Sequence, residues 1–305
     1  MFDVVIPTYN NLDELKICLS AFEKQTYRDF RVFVCVDGST DSTMEYLLKA
    51  KYNFKFKILT HSDGKRNGRN ATRNLAINYL KSKYIMMVDS DIIPASNLLE
   101  KHIVLLESKD CISVGNVIYT DVKKNILSDY IQKRGKNKFK DRTEMSSYYL
   151  TTGNCAFHSK YFIQSGGQDA RMVTYGGGDI EFGYYLWKYF KLSIIYNKEA
   201  VGYSKMNKDL NTLQKQMKEF GAINLHYIRK KHPDLKDIFR FDLIESSSFK
   251  SRMIRFFLKD SIGRLSQSMI SIVPRFLGRM IIHYLIFLSI YRGYISGLRN
   301  AGKDE

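Results

Sequence analysis

Disulfide chemistry has little to work with in this chain. Its 305 residues include four cysteines, Cys18, Cys35, Cys111 and Cys155, and no two of them form a Cys-x-x-Cys pair. All four lie in or beside apolar runs, which reads as reduced, buried thiols in a cytosolic protein. A strand pattern begins at Phe2, so no signal peptide is expected. Internal repeats and low-complexity tracts are missing as well. Histidine is sparse: none falls between Phe182 and Leu225, and His61, His102, His158, His226, His232 and His283 are scattered without ligand spacing. Acids are few beside bases, 31 against 48, for a formal net charge of +17. Nucleic-acid binding would use such charge, but no recognition motif accompanies it, so no nucleic-acid partner is expected. With 44 % hydrophobic residues, the chain can bury one large core and one smaller appendage.

The most informative segment is Asp89-Ser90-Asp91, directly after the apolar run Tyr84-Ile85-Met86-Met87-Val88. Five apolar residues fit a buried strand of a parallel sheet. Two acids at the carboxyl end of such a strand sit where α/β sheets bind ligands. Carboxylate oxygens there suit a hard divalent cation, which in turn neutralises a diphosphate. Acids crowd many loops, and Pro94 marks this one as a turn, so the pair alone is weak.

The N-terminus adds two similar turns. Phe2 to Ile6 reads as a strand ending in Pro7-Thr8-Tyr9-Asn10-Asn11, followed by a helical pattern with Leu12, Leu15, Leu19 and Phe22 on one face. A second strand, Arg31 to Val36, ends in Asp37-Gly38-Ser39-Thr40-Asp41, where Gly permits a tight turn and Ser, Thr or Asp can cap a helix near Ser42. Each turn alone is ordinary punctuation. Three in succession, ending three strands, describe one nucleotide-sized crevice. Gly176-Gly177-Gly178-Asp179-Ile180-Glu181 is a further candidate: its acids suit a helix start, but three glycines cost backbone entropy unless close approach is needed.

These motifs, together with Gly68-Arg69-Asn70-Ala71-Thr72-Arg73-Asn74, occur in the order and spacing of family 2 glycosyltransferases, which the chain resembles over roughly residues 1 to 205. The resemblance implies an α/β fold of the GT-A (Rossmann-like) type with a mostly parallel central sheet in residues 1–205. A basic, amphipathic helical region follows in 206–305. It also implies a nucleoside-diphosphate sugar donor (a UDP-sugar foremost), a Mn2+ or Mg2+ ion and inversion at the anomeric carbon. By the family's pattern Pro7, Thr8, Tyr9, Asp37, Arg73 and Asp89 would bind the donor, and Asp89 and Asp91 the metal. Asp179 would be the general base, with Gly153, Asn154, Gly178 and Glu181 at the acceptor. Gly178 stands where the family usually has Glu, and the histidine that many relatives use as a further metal ligand is missing, with Tyr203 near that position. On its own Arg73 fits a solvated helix face, and Lys65, Arg66 and Arg69 read as surface charges, one of which could close over phosphate.

Other classes compete. A processive synthase would need membrane-spanning helices and a Gln-x-x-Arg-Trp segment, and the single tryptophan, Trp187, is not preceded by one. A nucleotidyltransferase would need glycines and a basic residue in the first loop, which Pro7-Thr8-Tyr9-Asn10 lacks. A nucleotide-sugar-binding pseudoenzyme or assembly partner stays open. From Ser246 to Asn300 nine Lys or Arg stand beside one acid, Asp260, among many apolar residues. The longest apolar stretch, Phe276 to Tyr291, is shorter than the ~20 residues that span a bilayer. Basic amphipathic helices suit an anionic membrane surface, and a helical appendage with a solvated basic face suits them too. The expected setting is cytoplasmic, peripheral on the inner face of the cell membrane, with a glycan or lipid-linked acceptor.

Overall fold

The computed structural model describes residues 1–239 and 245–301. They form two compact units. One comprises Met1–Thr120, Gln132–Val173 and Gly178–Lys205; the other comprises Asp121–Ile131, Thr174–Gly177 and the described part of Met206–Glu305.

The first unit is built on a nine-stranded sheet. Strand β1 (Phe2–Thr8) is buried along its whole length, its apolar residues covered on both faces and its buried Asp3 paired with Arg31. Helix α1 (Leu12–Phe22) buries Leu15, Cys18, Leu19 and Phe22, the face that the spacing predicts. Strand β2 (Phe30–Val36) runs parallel to β1, and α2 (Thr43–Lys49) follows, its first turn capped by Asp41 Oδ1, which accepts from Thr43 N at 3.2 Å. β3 (Lys55–Thr60) pairs parallel with β2, and β4 (Tyr84–Val88) parallel with β1. The helical pattern from Ala71 to Leu80 resolves instead into a short α3 (Arg69–Asn74) and one 3-10 turn, Ile77–Tyr79. Its polar residues Asn70, Arg73 and Asn74 are tied to Asp169, Asp89 and Gln168, so they are not the outward face of a longer helix.

Beyond β4 lie β5 (Ile93–Pro94), α4 (Leu98–Ser108), β6 (Cys111–Tyr119), α5 (Ile126–Gln132), β7 (Glu144–Met145), β8 (Asn154–His158), α6 (Ser159–Gln164), α7 (Gly178–Phe190) and β9 (Ser193–Ser204). Sheet order is β3-β2-β1-β4-β8-β6-β9-β5, with β7 on β9. The half that carries the three motifs, β3-β2-β1-β4, is parallel throughout, which brings their carboxyl ends to one edge. β8 lies antiparallel on β4 with Asn154 opposite Val88, so the residues just before β8 come to that same edge. Alternate strand residues feed two cores: Val4, Ile6, Val32, Val34 and Met86 on one face, Val5, Phe33, Cys35, Ile85 and Met87 on the other. All four cysteines are buried and unpaired.

The second unit is helical among its described residues, with α8 (Leu210–Ala222), α9 (Asn224–Lys231), α10 (Lys236–Phe239), α11 (Phe249–Phe257), α12 (Asp260–Met269) and α13 (Arg275–Ala301). α13 buries Ile282, Leu285, Leu288 and Tyr294, and its Arg279 donates to the buried Asp129 at 2.8 Å. The apolar stretch expected to stop at Tyr291 belongs to a 27-residue helix, and its Arg275–Arg299 portion is long and apolar enough to cross a bilayer by length and composition. Arg292 interrupts the sequence pattern but not the helix, because Tyr294, Ile295 and Leu298 resume it and Arg292 pairs with Asp260. α11 has two apolar faces. Ile254 and the adjoining Leu258 pack on Leu285 and Leu288, whereas Phe249, Met253, Phe256 and Phe257, at i, i+4, i+7 and i+8, are each half exposed or more.

Candidate active site

The three strand-end turns are stitched together. Asn10, in left-handed geometry at φ 47°, accepts from Thr40 N at 2.7 Å through its Oδ1. Its backbone N–H donates to Ser39 Oγ at 3.1 Å. Next to it, Asn11 Nδ2 donates to Ser90 Oγ at 3.1 Å, reaching the loop after β4. Thr8, Asp37 and Asp89 are thereby held as neighbours although 81 residues separate the first from the last.

Asp37 is nearly buried and already engaged. Its carboxylate accepts from Asn67 N at 2.7 Å and from Gly68 N at 3.1 Å, and His61 Nε2 stands 3.4 Å away. These bonds lay the basic loop 61–68 across the turn after β2. Gly38 permits the approach: its φ is +66°, and a Cβ there would fall 2.5 Å from Lys65 C. Arg66 from this loop stacks over the Tyr9 ring at 4.3 Å. The aspartate expected to face the nucleoside thus organises the loop beside it, and Tyr9 and Arg66 form an exposed flat pair at the same end. Thr8 is buried, and its hydroxyl has no hydrogen-bond partner among the described residues.

Asp89 lies between two arginines. Arg73, 1 % exposed, donates to Asp89 Oδ1 at 2.6 Å and to Gln168 Oε1 at 3.2 Å. Arg69 approaches Asp89 Oδ2 at 3.8 Å from the solvent side. The two arginines are one helical turn apart, so the i, i+4 spacing in the sequence already signals a shared face, which an isolated reading of Arg69 misses. Gln168 carries no such signal. Removing Arg73 takes a charge-assisted hydrogen bond from a part-buried Asp89 that keeps Arg69 nearby, which costs about 1.5–3 kcal/mol. Arg73→Ala is therefore expected to lower unfolding stability by that order, measurable by urea denaturation, whereas the half-exposed Arg69→Ala should stay within ~0.5 kcal/mol of the parent.

Asp91 is exposed two residues further on. Ile93 pairs in register with Tyr203, which puts that tyrosine beside the Asp91 loop, in the neighbourhood where the sequence expectation sought a histidine. His226 is engaged elsewhere, stacked on Tyr294 at 4.2 Å. Asp89 and Asp91 offer hard carboxylate oxygens, and among the described residues no third His, Cys, Asp or Glu completes a ligand cluster with them. Mg2+ takes about six oxygen ligands and keeps several waters. The donor set therefore fits an ion that arrives with a diphosphate supplying further oxygens, and not an ion caged by protein alone.

Asp179 opens α7, and its Oδ1 accepts from the Thr152 hydroxyl at 2.5 Å. Gly178 abuts the side chain of Asn70, and a Cβ there would come within 2.8 Å of Asn70 Oδ1. A side chain at this position would have to displace the Asn70 amide. Gly153 lies against Asp89: its carbonyl accepts from Asp89 N at 3.2 Å. Two residues expected at the acceptor are enclosed by the fold. Asn154 is fully buried, takes His102 Nε2–H at 2.9 Å on its Oδ1, and donates to the carbonyls of Asn116 and Ala200. It ties β8 to β6, α4 and β9. Burial lowers the His102 pKa to about 4, so this imidazole is neutral at pH 7. Glu181 is likewise buried.

A glycosyl transferase family 2 profile matches residues 3–166, more than half of the chain. The chain belongs to glycosyl transferase family 2. It is 32 % identical over 154 residues to an uncharacterized glycosyltransferase of Methanocaldococcus jannaschii, covering 49 % of this chain and 51 % of the relative. Over 106 residues it is 31 % identical to UDP-Glc:alpha-D-GlcNAc-diphosphoundecaprenol beta-1,3-glucosyltransferase of Escherichia coli, covering 35 % of this chain and 41 % of the relative. These matches span about half or less of the curated relatives' length. Among solved structures, a mannosyltransferase from Pyrobaculum calidifontis, in complex with GDP-Man and Mn2+, superposes with TM-score 0.66 at 16 % identity, covering 95 % of this chain and 86 % of that one. TarS 1–349 of S. aureus, in complex with UDP-GlcNAc, gives TM-score 0.55 at 15 % identity, covering 98 % and 92 %. The family 2 chain therefore has the GT-A fold, with its helical region following.

Proposed function

We propose that this protein is an inverting glycosyltransferase that moves a sugar from a nucleoside-diphosphate donor, a UDP-sugar, to a hydroxyl of a glycan or lipid-linked acceptor in surface polysaccharide synthesis. The observation that carries this reading is the convergence, at one sheet edge, of Asp89 and Asp91, the arginine pair Arg69 and Arg73, and Asp179. In this reading Tyr9, Arg66 and the Asp37-held loop flank the nucleoside, with Pro7 and Thr8 beneath it. Arg69 and Arg73 face the diphosphate. A Mn2+ or Mg2+ ion, when bound, would be held by Asp91 and Asp89 and would neutralise charge on the leaving diphosphate. Asp179 takes the proton of the acceptor hydroxyl as its oxygen bonds to the anomeric carbon. The bond from that carbon to the diphosphate breaks on the opposite face, which inverts the centre. Asn154 and Glu181 are buried, so their part is to support the acceptor floor, while Gly153 and Gly178 border it. Residues 1–205 would supply the catalysis and 206–305 the membrane-facing part. The test is a panel of UDP- and GDP-sugars assayed for metal-dependent hydrolysis and transfer. A sugar nucleotide that binds but is neither hydrolysed nor transferred would leave a binding protein without activity.

The proposed setting is the cytoplasmic face of a membrane, with the outer face of α11 as the contact. A solvated basic appendage accounts for the packed Ile254 and Leu258 but not for the exposed row Phe249, Met253, Phe256 and Phe257. Lys250, Arg252 and Lys259 stand among these apolar residues, exposed, and complement anionic headgroups. Cutting the chain after Glu245 would remove the α13 residues on which α8 and α9 pack, so substitution on the full chain is the cleaner probe. The protein is expected to co-sediment with phosphatidylglycerol vesicles and to release as salt rises. Phe256→Glu with Phe257→Glu should weaken partition at least ~10-fold, since each buried aromatic is worth about 1.5–3 kcal/mol, and should barely move Tm. A parent protein that ignores these vesicles at every salt concentration would remove the membrane from the proposal.

A further inference from the structure

Two residues that the reaction scheme does not use bear on Asp179, one by a hydrogen bond and one through its charge. The Thr152 hydroxyl, on a fully buried residue, donates to Asp179 Oδ1 at 2.5 Å. The neighbouring Thr151 hydroxyl accepts from Lys136 Nζ at 2.5 Å. Lys136 reaches this point from a 3-10 turn, Gly135–Lys138, that precedes β7. The residue as a whole is partly exposed, but its ammonium end is enclosed and feels the Asp179 carboxylate, and desolvation lowers its pKa to about 8. Three titratable groups interact with it. Burial pushes the Cys155 thiol up to about 12 and the His102 imidazole down to about 4, so both are neutral near pH 7. Of the three, Asp179 alone can present a negative charge to the ammonium.

We infer that Thr152 and Lys136 are positioning residues for the base: Thr152 orients the Asp179 carboxylate through one oxygen, and Lys136 supplies the facing positive charge. Physical sense supports the division of labour. A carboxylate that must receive a proton from an acceptor hydroxyl needs its second oxygen aimed at that hydroxyl, and a fixed donor on the first oxygen stops the group rotating. The Lys136 ammonium, held on Thr151 beside Thr152, adds a fixed positive charge in the same neighbourhood. The sequence hides both roles, since Lys136 lies 43 positions before Asp179 in a lysine-rich stretch that reads as surface.

This inference rests on Asp179 being the base, and the experiment separates the two. Transfer kinetics are measured across pH 6 to about 9.5 for the parent, Asp179→Asn, Thr152→Val and Lys136→Met, with donor KM and Tm for each. Thr152→Val and Lys136→Met are expected to lose about 10–100-fold in kcat, with donor KM within about twofold. The parent should lose rate as pH rises through about 8, where the ammonium discharges. Lys136→Met should lack that basic limb, whereas Thr152→Val, which removes no charge, should keep it. Full kcat in either variant, a basic limb surviving in Lys136→Met, or a loss confined to donor KM would overturn the inference. If Asp179→Asn is itself fully active, the base assignment fails first; if only Asp179→Asn is inactive, the base stands and the positioning roles fall.

Discussion

Asp91→Ala is expected to leave a folded protein whose transfer rate has fallen by about 10³-fold or more. The side chain is exposed, so its loss should change unfolding stability by no more than ~0.5 kcal/mol. Its proposed work is instead in the donor complex, where a carboxylate-held ion offsets charge on the departing diphosphate. Such stabilisation is worth several kcal/mol, and each ~1.4 kcal/mol is tenfold in rate. Asp89→Ala should combine that loss with instability, because it strands the buried Arg73 guanidinium. The comparison of the two variants by denaturation and by initial rate therefore divides ligand work from structural work. Turnover that survives in Asp91→Ala, or in EDTA, would remove the divalent ion from the mechanism.

Asp179→Asn should act on the other half of the site. Asparagine keeps the size of the side chain and can still accept the Thr152 hydrogen bond through its amide oxygen. It cannot take a proton at neutral pH, so kcat for transfer is expected to fall by roughly 10²–10⁴-fold. Donor KM should barely change, because the arginines and Asp89 are untouched. Donor binding measured directly, by titration calorimetry with UDP-sugar and Mn2+, gives the independent reading. A collapse of donor affinity with high residual turnover would make Asp179 a donor-site residue and leave the base unassigned.

The two substitutions differ in how visible their targets were before folding. Asp91 belongs to a local pattern, an apolar strand followed at once by acids, and backbone periodicity alone carries it. The strand of β4, the helix faces of α1 and the cap at Asp41 are equally local, because each depends on spacings of two to four residues. The chain's own order of motifs also determined that three strand ends would share an edge, since parallel strands joined by helices leave them no other arrangement. Family membership follows from the same local patterns taken together.

Tertiary structure decided the rest, and for one physical reason: a side chain's role depends on what lies across from it, and those partners are far away in sequence. Asn154 was expected at the acceptor from its motif alone, and only the fold shows its amide engaged by His102, Asn116 and Ala200. Arg73 fitted a solvated helix face when taken alone and a donor contact only through the resemblance; the fold buries it against Asp89 and Gln168, the latter 95 residues on. Asp37 had the right turn, but the backbone N–H groups of Asn67 and Gly68 determine which way its oxygens point. The mixed aromatic and basic sequence around Phe256 fitted both an anchor and an appendage. Packing of Ile254 and Leu258 on α13 assigned one apolar face to the core and left the other to solvent. Periodicity can report that a helix has an apolar stripe, but it cannot say which stripe the fold will cover.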